Sequence, residues 1–105
     1  MDVDVFSALA DPTRRQLVSW LAVRPATTTE LSKRLPISRQ GVAKHLAVLD
    51  QARLIVRERS GREVRYSLEA ERLSNARDWL ATVSARWEAR LERLKRHIEE
   101  GQRHA

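Results

Sequence analysis

The side chains of this 105-residue chain that are best suited to recognition chemistry are two neighbouring hydrogen-bonding groups, Arg39 and Gln40. In the major groove of DNA, arginine can donate two parallel hydrogen bonds to guanine, and glutamine can pair similarly with adenine. Polar neighbours of this pair are better suited to phosphate oxygens. These neighbours are Ser38, Lys44 and His45. The pattern predicts a surface that reads duplex DNA, and an ordinary solvated helix face is the alternative interpretation.

A second basic group lies between residues 55 and 68, where apolar and polar residues alternate as they do in β-strands. Ser60-Gly61-Arg62 supplies the small residues of a tight turn, so the segment predicts a two-stranded wing with Arg62 at its tip. We expect Arg62 to contact the minor groove or a flanking phosphate, unless it is only a solubilising turn residue. Three more arginines are candidate phosphate ligands, although Glu58 and Glu63 could pair with some of them. They are Arg57, Arg59 and Arg65.

The positive charge of the chain is concentrated around these two groups. The net charge is +6 and the sequence pI is about 11.0. Residues 31–66 contain nine Lys or Arg and three Asp or Glu, whereas the rest of the chain contains eleven of each. The whole excess therefore lies in one segment, as expected for a surface that faces a phosphate backbone.

Two helices are predicted to position the candidate base-reading residues. Thr27-Thr28-Thr29-Glu30 matches a capping box, which predicts that a helix begins there and continues until Pro36 ends it. Ser38 can cap a following helix that runs to about Ala52, with apolar residues at helical spacing on its inner face. Those apolar residues are Val42, Leu46 and Leu49. Residues 27–52 are thus interpreted as a helix-turn-helix and residues 55–68 as its wing.

Helices are also predicted at both ends of the chain. A short one covers residues 3–10, and Asp11-Pro12 begins a second one whose buried residues are predicted to be Leu17, Trp20 and Leu21. Residues 71–99 have apolar residues at steps of three or four, so they predict a helix about 40 Å long. A domain this small cannot cover such a helix alone, so we expect a second copy to pair with residues 3–10 and 71–99. The predicted interface residues are Val5, Phe6, Leu80, Val83, Trp87, Leu91 and Leu94.

Together these elements predict one domain over residues 1–105. Its expected fold class is mainly α with a small β-hairpin (α+β), a winged helix-turn-helix with a long C-terminal dimerisation helix. Residues 101–105 are expected to fray.

Four sequence segments in this order resemble the ArsR family of winged-helix regulators. The segments are FSALADPTRR from Phe6, Glu30-Leu31, SRQGVAKHLAVL from Ser38 and GREVRYSL from Gly61. The resemblance covers nearly the whole chain, and it rests on the combination of these segments. It implies a homodimer that pairs through the first and last helices, binds a palindromic operator and represses transcription.

Many members of that family sense metals, and the sequence departs from them here. The chain contains no cysteine, so the cysteine-based site of the family is absent. A second family site pairs Asp-x-His with His-x-x-Glu or His-x-x-His. His97 and Glu100 match its second half and His104 lies nearby, but Asp78-Trp79-Leu80 lacks the histidine of the first half. Two ligands per subunit would make a poor zinc site, so we predict no metal and no cofactor.

An effector of another kind is left open by the sequence. Trp79 and Trp87 could line a small-molecule pocket, although packing against a partner helix is the stronger interpretation. An enzyme is disfavoured, because the three histidines have no nucleophile pattern near them and three glycines are too few for a phosphate-binding loop.

Two other kinds of binding protein compete with a DNA-binding regulator. A winged-helix module for protein contacts would have a neutral or acidic second helix. RNA binding is harder to exclude, since a basic winged helix can serve either nucleic acid. Proteins that read single strands stack bases on aromatic side chains, however, and the basic segment has only Tyr66. Duplex DNA is therefore the preferred partner. The N-terminus lacks a signal-peptide pattern and no apolar run is long enough to span a membrane, so we expect a cytoplasmic protein without membrane contact.

Overall fold

The structure is a computed structural model that describes residues 3–103. Over these residues the chain forms five helices and three strands. In chain order they are α1 (Val3–Leu9), α2 (Pro12–Val23), β1 (Ala26–Thr27), α3 (Thr28–Ser32), α4 (Arg39–Gln51), β2 (Ile55–Ser60), β3 (Glu63–Leu68) and α5 (Ala70–Arg103). The chain divides into two compact units, Met1–Ser74 and Asn75–Ala105. The mainly helical fold with a small wing and a long C-terminal helix is confirmed.

Helix starts follow the predicted caps. Asp11 accepts a hydrogen bond from the backbone N–H of Arg14 at 3.0 Å and Pro12 occupies the first turn of α2. The capping box of α3 is complete, since Thr27 accepts from the Glu30 N–H at 3.1 Å while the Glu30 carboxylate accepts from the Thr27 N–H at 3.3 Å. Ser38 caps α4 by accepting from the Gly41 N–H at 3.0 Å. These caps fix where α2, α3 and α4 begin.

The first helix of the helix-turn-helix is shorter than the sequence predicts. Residues up to Leu35 are compatible with a helix that only Pro36 ends, but α3 stops at Ser32. Backbone bonds from Arg34 to Leu31 and from Leu35 to Ser32 continue the chain as tight turns. The connection to α4 is therefore longer than the four-residue turn predicted at Leu35–Ser38.

The wing contains a third strand that the sequence did not reveal. The strands β2 and β3 pair antiparallel as expected, and Gly61 at their turn has a φ of 64°, which glycine adopts without strain. In addition, β1 pairs with the outer edge of β3 through Ala26 and Thr27. This pairing fastens the start of α3 to the wing.

A single apolar core holds the helices of the first unit together. Its largest fully buried side chains are Leu17, Leu31, Val42, Leu46, Leu49 and Leu54. Leu21 is buried as predicted, but Trp20 is only partly buried. The guanidinium of Arg34 lies 4.0 Å from the centroid of the Trp20 ring, a cation–π contact.

The second unit is the greater part of α5. The helix continues to Arg103, four residues beyond the predicted end, and has 34 residues in all. Along residues 77–102 every side chain is exposed. Within the part of the chain that the structure describes, no helix is long and apolar enough to cross a membrane.

Candidate nucleic-acid interface

The outer face of α4 presents the side chains predicted to contact bases. Val42, Leu46 and Leu49 are fully buried, and because a helix repeats every 3.6 residues their burial turns Arg39, Gln40 and Lys44 outward. All three are exposed. Within residues 3–103 neither Arg39 nor Lys44 takes part in an ion pair, so both charges are available to a ligand.

A groove of about 630 Å³ joins this helix to the wing. The start of α3, the start of α4 and the strands β2 and β3 form its walls. Four basic side chains line it, and they are Lys33, Arg39, Arg57 and Arg62. Two carboxylates, Glu30 and Glu63, also line it. The structure thus brings a residue of α4 and two predicted wing residues to the same groove.

The strand register divides the wing arginines between the two faces of the sheet. Arg57 lies opposite Tyr66 and Arg59 opposite Val64, so these four residues share one face. Arg57 lies 5.9 Å from the Tyr66 ring centroid and Arg59 donates a long 3.4 Å bond to the Gly61 carbonyl. Neither arginine has a carboxylate partner within the described residues.

Arg65 lies on the opposite face and is engaged by carboxylates. It donates to Glu30 at 3.3 Å and to Glu63 at 3.5 Å, and it is only partly exposed. The sequence suggested pairing with Glu58 or Glu63, and Glu63 is one of the two partners. Glu30 was not expected. The structure therefore separates Arg65 from the other predicted phosphate ligands, because its charge is already compensated.

The Glu30 carboxylate is held in its charged form. Hydrogen bonds from the Thr27 hydroxyl and from the Thr27 backbone lower the pKa of Glu30, and the charge of Arg65 lowers it further. Its oxygen Oε1 is shared between the capping box and Arg65. The start of α3 and the wing are thus joined through one carboxylate.

Lys33 is a groove residue that the sequence analysis did not single out. It follows the last residue of α3, where the chain turns, and no described side chain pairs with it. The only feature of the sequence that could have identified Lys33 as a candidate DNA ligand was its position in the basic segment, residues 31–66. Its side chain lines the same groove as Arg39.

His45 is placed differently from the other candidate phosphate ligands. Only 24% of its side chain is exposed, and its Nδ1 atom lies 3.5 Å from Arg14 Nη1 and 3.9 Å from Asp11 Oδ1. The backbone N–H of Arg14 is the main cause of a lowered pKa of Asp11. This edge of His45 is directed at α2, not at the groove.

The predicted interface residues fall into two groups. Val5 is 2% exposed and belongs to the core of its own chain, so it has almost no surface to offer a partner, and Phe6 is partly buried. The predicted residues of α5 are 40–54% exposed. They are Leu80, Val83, Trp87, Leu91 and Leu94, and Ile98 continues their row with 52% exposure.

The described part of the chain contains no cluster of three metal-ligating side chains. His97 and Glu100 are exposed on α5, and His104 lies outside the described residues. Trp79 and Trp87 are 43% and 54% exposed, and the guanidinium of Arg90 lies 5.9 Å from the Trp87 ring.

The sequence is similar to a helix-turn-helix family and to two transcriptional regulators. A family model described as a helix-turn-helix domain matches residues 9–58. The chain is 32% identical over 77 residues to the transcriptional repressor SdpR of Bacillus subtilis, covering 73% of this chain and 86% of that protein. It is 42% identical over 72 residues to the HTH-type transcriptional regulator Rv2034 of Mycobacterium tuberculosis, covering 69% of this chain and 67% of that protein.

A solved structure has a fold similar to that of this chain, at a sequence identity comparable to that of these two relatives. An ArsR-like transcriptional regulator from Rhodococcus sp. RHA1 aligns with a TM-score of 0.77 and 35% sequence identity, over 89% of this chain and 88% of that one. These relatives are regulators of transcription and not enzymes.

Proposed function

Because the chain belongs to the ArsR family of winged helix-turn-helix transcriptional regulators, we propose that it is a homodimeric repressor that binds a palindromic operator. DNA binding and regulation of transcription follow from the family. The proposal concerns the assembly, the symmetry of the site and the residues that touch DNA.

The observation that carries the proposal is the groove between α4 and the wing. Arg39, Arg57 and Arg62 line it, and none of them has a carboxylate partner within the described residues. In this proposal α4 enters the major groove, where Arg39 pairs with guanine and Gln40 with adenine. Ser38 and Lys44 bind phosphate beside it, while Arg57, Arg59 and Arg62 bind the flanking backbone. A surface for protein partners would not need four cations directed at one groove.

The apolar row on α5 supports the dimer. A folded monomer rarely leaves six large apolar side chains exposed along one helix, and a second copy of the same row would cover them. Two copies related by a two-fold axis present two α4 helices, so the preferred DNA site would be two-fold symmetric with half-sites about one helical turn apart.

The proposal can be tested on the duplex that the protein selects from a random library. We expect a two-fold symmetric site. Arg39→Ala should weaken binding to that site by about 10- to 100-fold and relax the preference at one base pair of each half-site. Arg62→Ala should weaken binding to all duplexes alike. It should also make the slope of log affinity against log salt shallower by about 0.9 for each phosphate that Arg62 neutralises.

Arg96→Ala is the matched control, because it removes one arginine from α5 on the side opposite the apolar row. This variant should bind like the wild type. If the selected sites lack symmetry, the dimeric assembly on DNA is wrong. If Arg39→Ala and Arg62→Ala both bind like Arg96→Ala, the assignment of the groove is wrong.

A further inference from the structure

Arg14 connects the end of α1 to another part of the fold through all three of its side-chain nitrogens. Nε donates to the Ala8 carbonyl at 2.6 Å and Nη2 to the Ser7 carbonyl at 3.2 Å. The last carbonyls of a helix have no partner within the helix, and a cation beside them is favourable. Two corners of the guanidinium therefore cap α1. The third nitrogen, Nη1, points away from α1 and reaches His45 on α4.

The contact with His45 has a defined direction. Arginine is always protonated and can only donate, so this 3.5 Å contact is a hydrogen bond when the Nδ1 atom accepts and carries no proton. The imidazole proton then resides on Nε2. Asp11 Oδ1 caps α2 by accepting from the Arg14 N–H, and it lies 3.9 Å from the same Nδ1, which is longer than a hydrogen bond. Asp11 and Arg14 are the charged groups that face this edge of the ring.

Three helices thus meet at one guanidinium. In the sequence, His45 follows Lys44 and stands between the buried residues Val42 and Leu46. A shift of its ring is therefore expected to shift the second turn of α4. The side chains predicted to read bases stand on the first two turns of the same helix. A small displacement of a supporting residue is sufficient to disturb such contacts, because a binding surface has to be held to within about 0.5 Å.

We propose that Arg14 and His45 are positioning residues, which fix the recognition helix α4 against α1 and α2, and that His45 acts through Nδ1 and not as a phosphate ligand. This inference rests on the proposed function, because these residues matter for binding only if α4 contacts DNA. It replaces the role that the sequence suggested for His45.

Two substitutions of His45 separate the alternatives. The amide of asparagine reaches the position of Nδ1, whereas the amide of glutamine reaches that of Nε2. If Nδ1 is the functional atom, His45→Asn should bind the selected duplex within about threefold of the wild type, and His45→Gln should lose about tenfold. A phosphate contact through Nε2 would give the reverse order, and that result would overturn the proposal.

Arg15 provides a matched control for Arg14. It also caps α1, by donating to the Leu9 and Ala10 carbonyls at 2.9 and 3.0 Å, but no bond connects it with His45. Arg14→Gln should lose about tenfold in affinity for the selected duplex, with little change on random duplex and an unchanged salt slope. Arg15→Gln should leave the ratio of specific to non-specific affinity unchanged. Equal losses of affinity in Arg14→Gln and Arg15→Gln would mean that Arg14 only caps α1, and would contradict its role in positioning α4.

A measurement without DNA keeps this inference separate from the proposed function. The ¹⁵N chemical shifts of the His45 ring report which nitrogen carries the proton. We expect the Nε2–H form in the wild type and in Arg15→Gln, and a change of the His45 shifts together with the α4 amide shifts in Arg14→Gln. A wild-type ring protonated on Nδ1 would refute the contact. If no duplex is bound specifically, the proposed function fails, and these shifts still decide whether Arg14 positions α4.

Discussion

At the scale of single residues, the wing arginines divide into those available to a ligand and one that is not. Arg65 holds Glu30 and Glu63, which are the two carboxylates that line the groove. An uncompensated carboxylate there would repel a phosphate backbone. Arg65 is therefore expected to assist DNA binding by neutralising these two groups, without contacting DNA itself.

This role predicts a specific result for Arg65→Ala. The substitution leaves two negative charges in the groove, so we expect affinity for the selected duplex to fall by about three- to tenfold at low salt. The loss should shrink as salt is added, since the charges are partly exposed and screened. Fluorescence anisotropy over a series of salt concentrations would measure it.

The control combines Arg65→Ala with Glu30→Gln and Glu63→Gln. Glutamine retains the capping box at Glu30 but has no charge, so this triple variant should bind within about threefold of the wild type. A direct phosphate contact by Arg65 would not be restored by these changes. Failure of the triple variant to recover, with its fold intact, would show that Arg65 is itself a DNA ligand.

The separation of Arg65 from its neighbours could not be predicted from the sequence. The outward direction of Arg39 and Gln40 follows from the helical period, which is local information. By contrast, Glu30 lies 35 residues before Arg65, and Arg14 lies 31 residues before His45. Contacts between such distant residues depend on how the elements pack, so composition predicted a basic surface but not which of its charges are compensated.

At the scale of elements, the starts of the helices were predictable because each cap is a bond between residues three apart. Asp11, Thr27 and Ser38 all cap the helices that follow them. The strand β1 was not predicted, since two residues show no alternation and are a strand only through their pairing with β3. The early end of α3 was missed for a similar reason, because helix propensity alone does not mark it.

The C-terminal end of α4 has a feature that composition did not indicate. The Leu54 N–H binds the Leu49 carbonyl at 3.0 Å and the Arg53 N–H binds the Asp50 carbonyl at 2.9 Å, which is a Schellman motif. Arg53 occupies its left-handed position with a φ of 59°, where glycine is the usual residue. Leu49 and Leu54, both fully buried, occupy the two positions between which an apolar contact accompanies this motif.

Arg53 therefore carries backbone strain that a substitution can release. Arg53→Gly should be more stable to urea unfolding than Arg53→Ala by about 1 kcal/mol, because alanine keeps the left-handed strain and glycine does not. Comparing these two variants removes the effect of the missing charge, which they share. Both should be measured at the same protein concentration. Equal stability of the two would mean that residue 53 leaves the left-handed conformation at little cost.

At the scale of the whole molecule, the apolar row on α5 implies a particular kind of helix pairing. Eighteen residues separate Leu80 from Ile98 over five steps, an average of about 3.6 residues per turn. A strict heptad averages 3.5 and forces a left-handed supercoil, whereas this period matches a straight α-helix. We therefore expect paired α5 helices with little supercoiling.

Trp87 lies at the centre of this row and is the best position at which to break the pairing. It is 54% exposed in the single chain, which leaves about 100 Å² of its surface uncovered. Covering that area in both copies would contribute about 5 kcal/mol to dimerisation. Trp87→Asp removes this contribution and places a charge in the interface, so the dissociation constant should rise by at least about a thousandfold.

Ala89→Asp is the control for this prediction. It introduces the same residue two positions away, on the opposite face of α5, and should remain dimeric. Sedimentation equilibrium gives the mass of each variant, and circular dichroism verifies that α5 is still helical. Trp87→Asp should also bind the selected palindromic duplex without cooperativity, since each monomer then contacts one half-site. A helical Trp87→Asp protein that still sediments as a dimer would exclude this face of α5 from the interface.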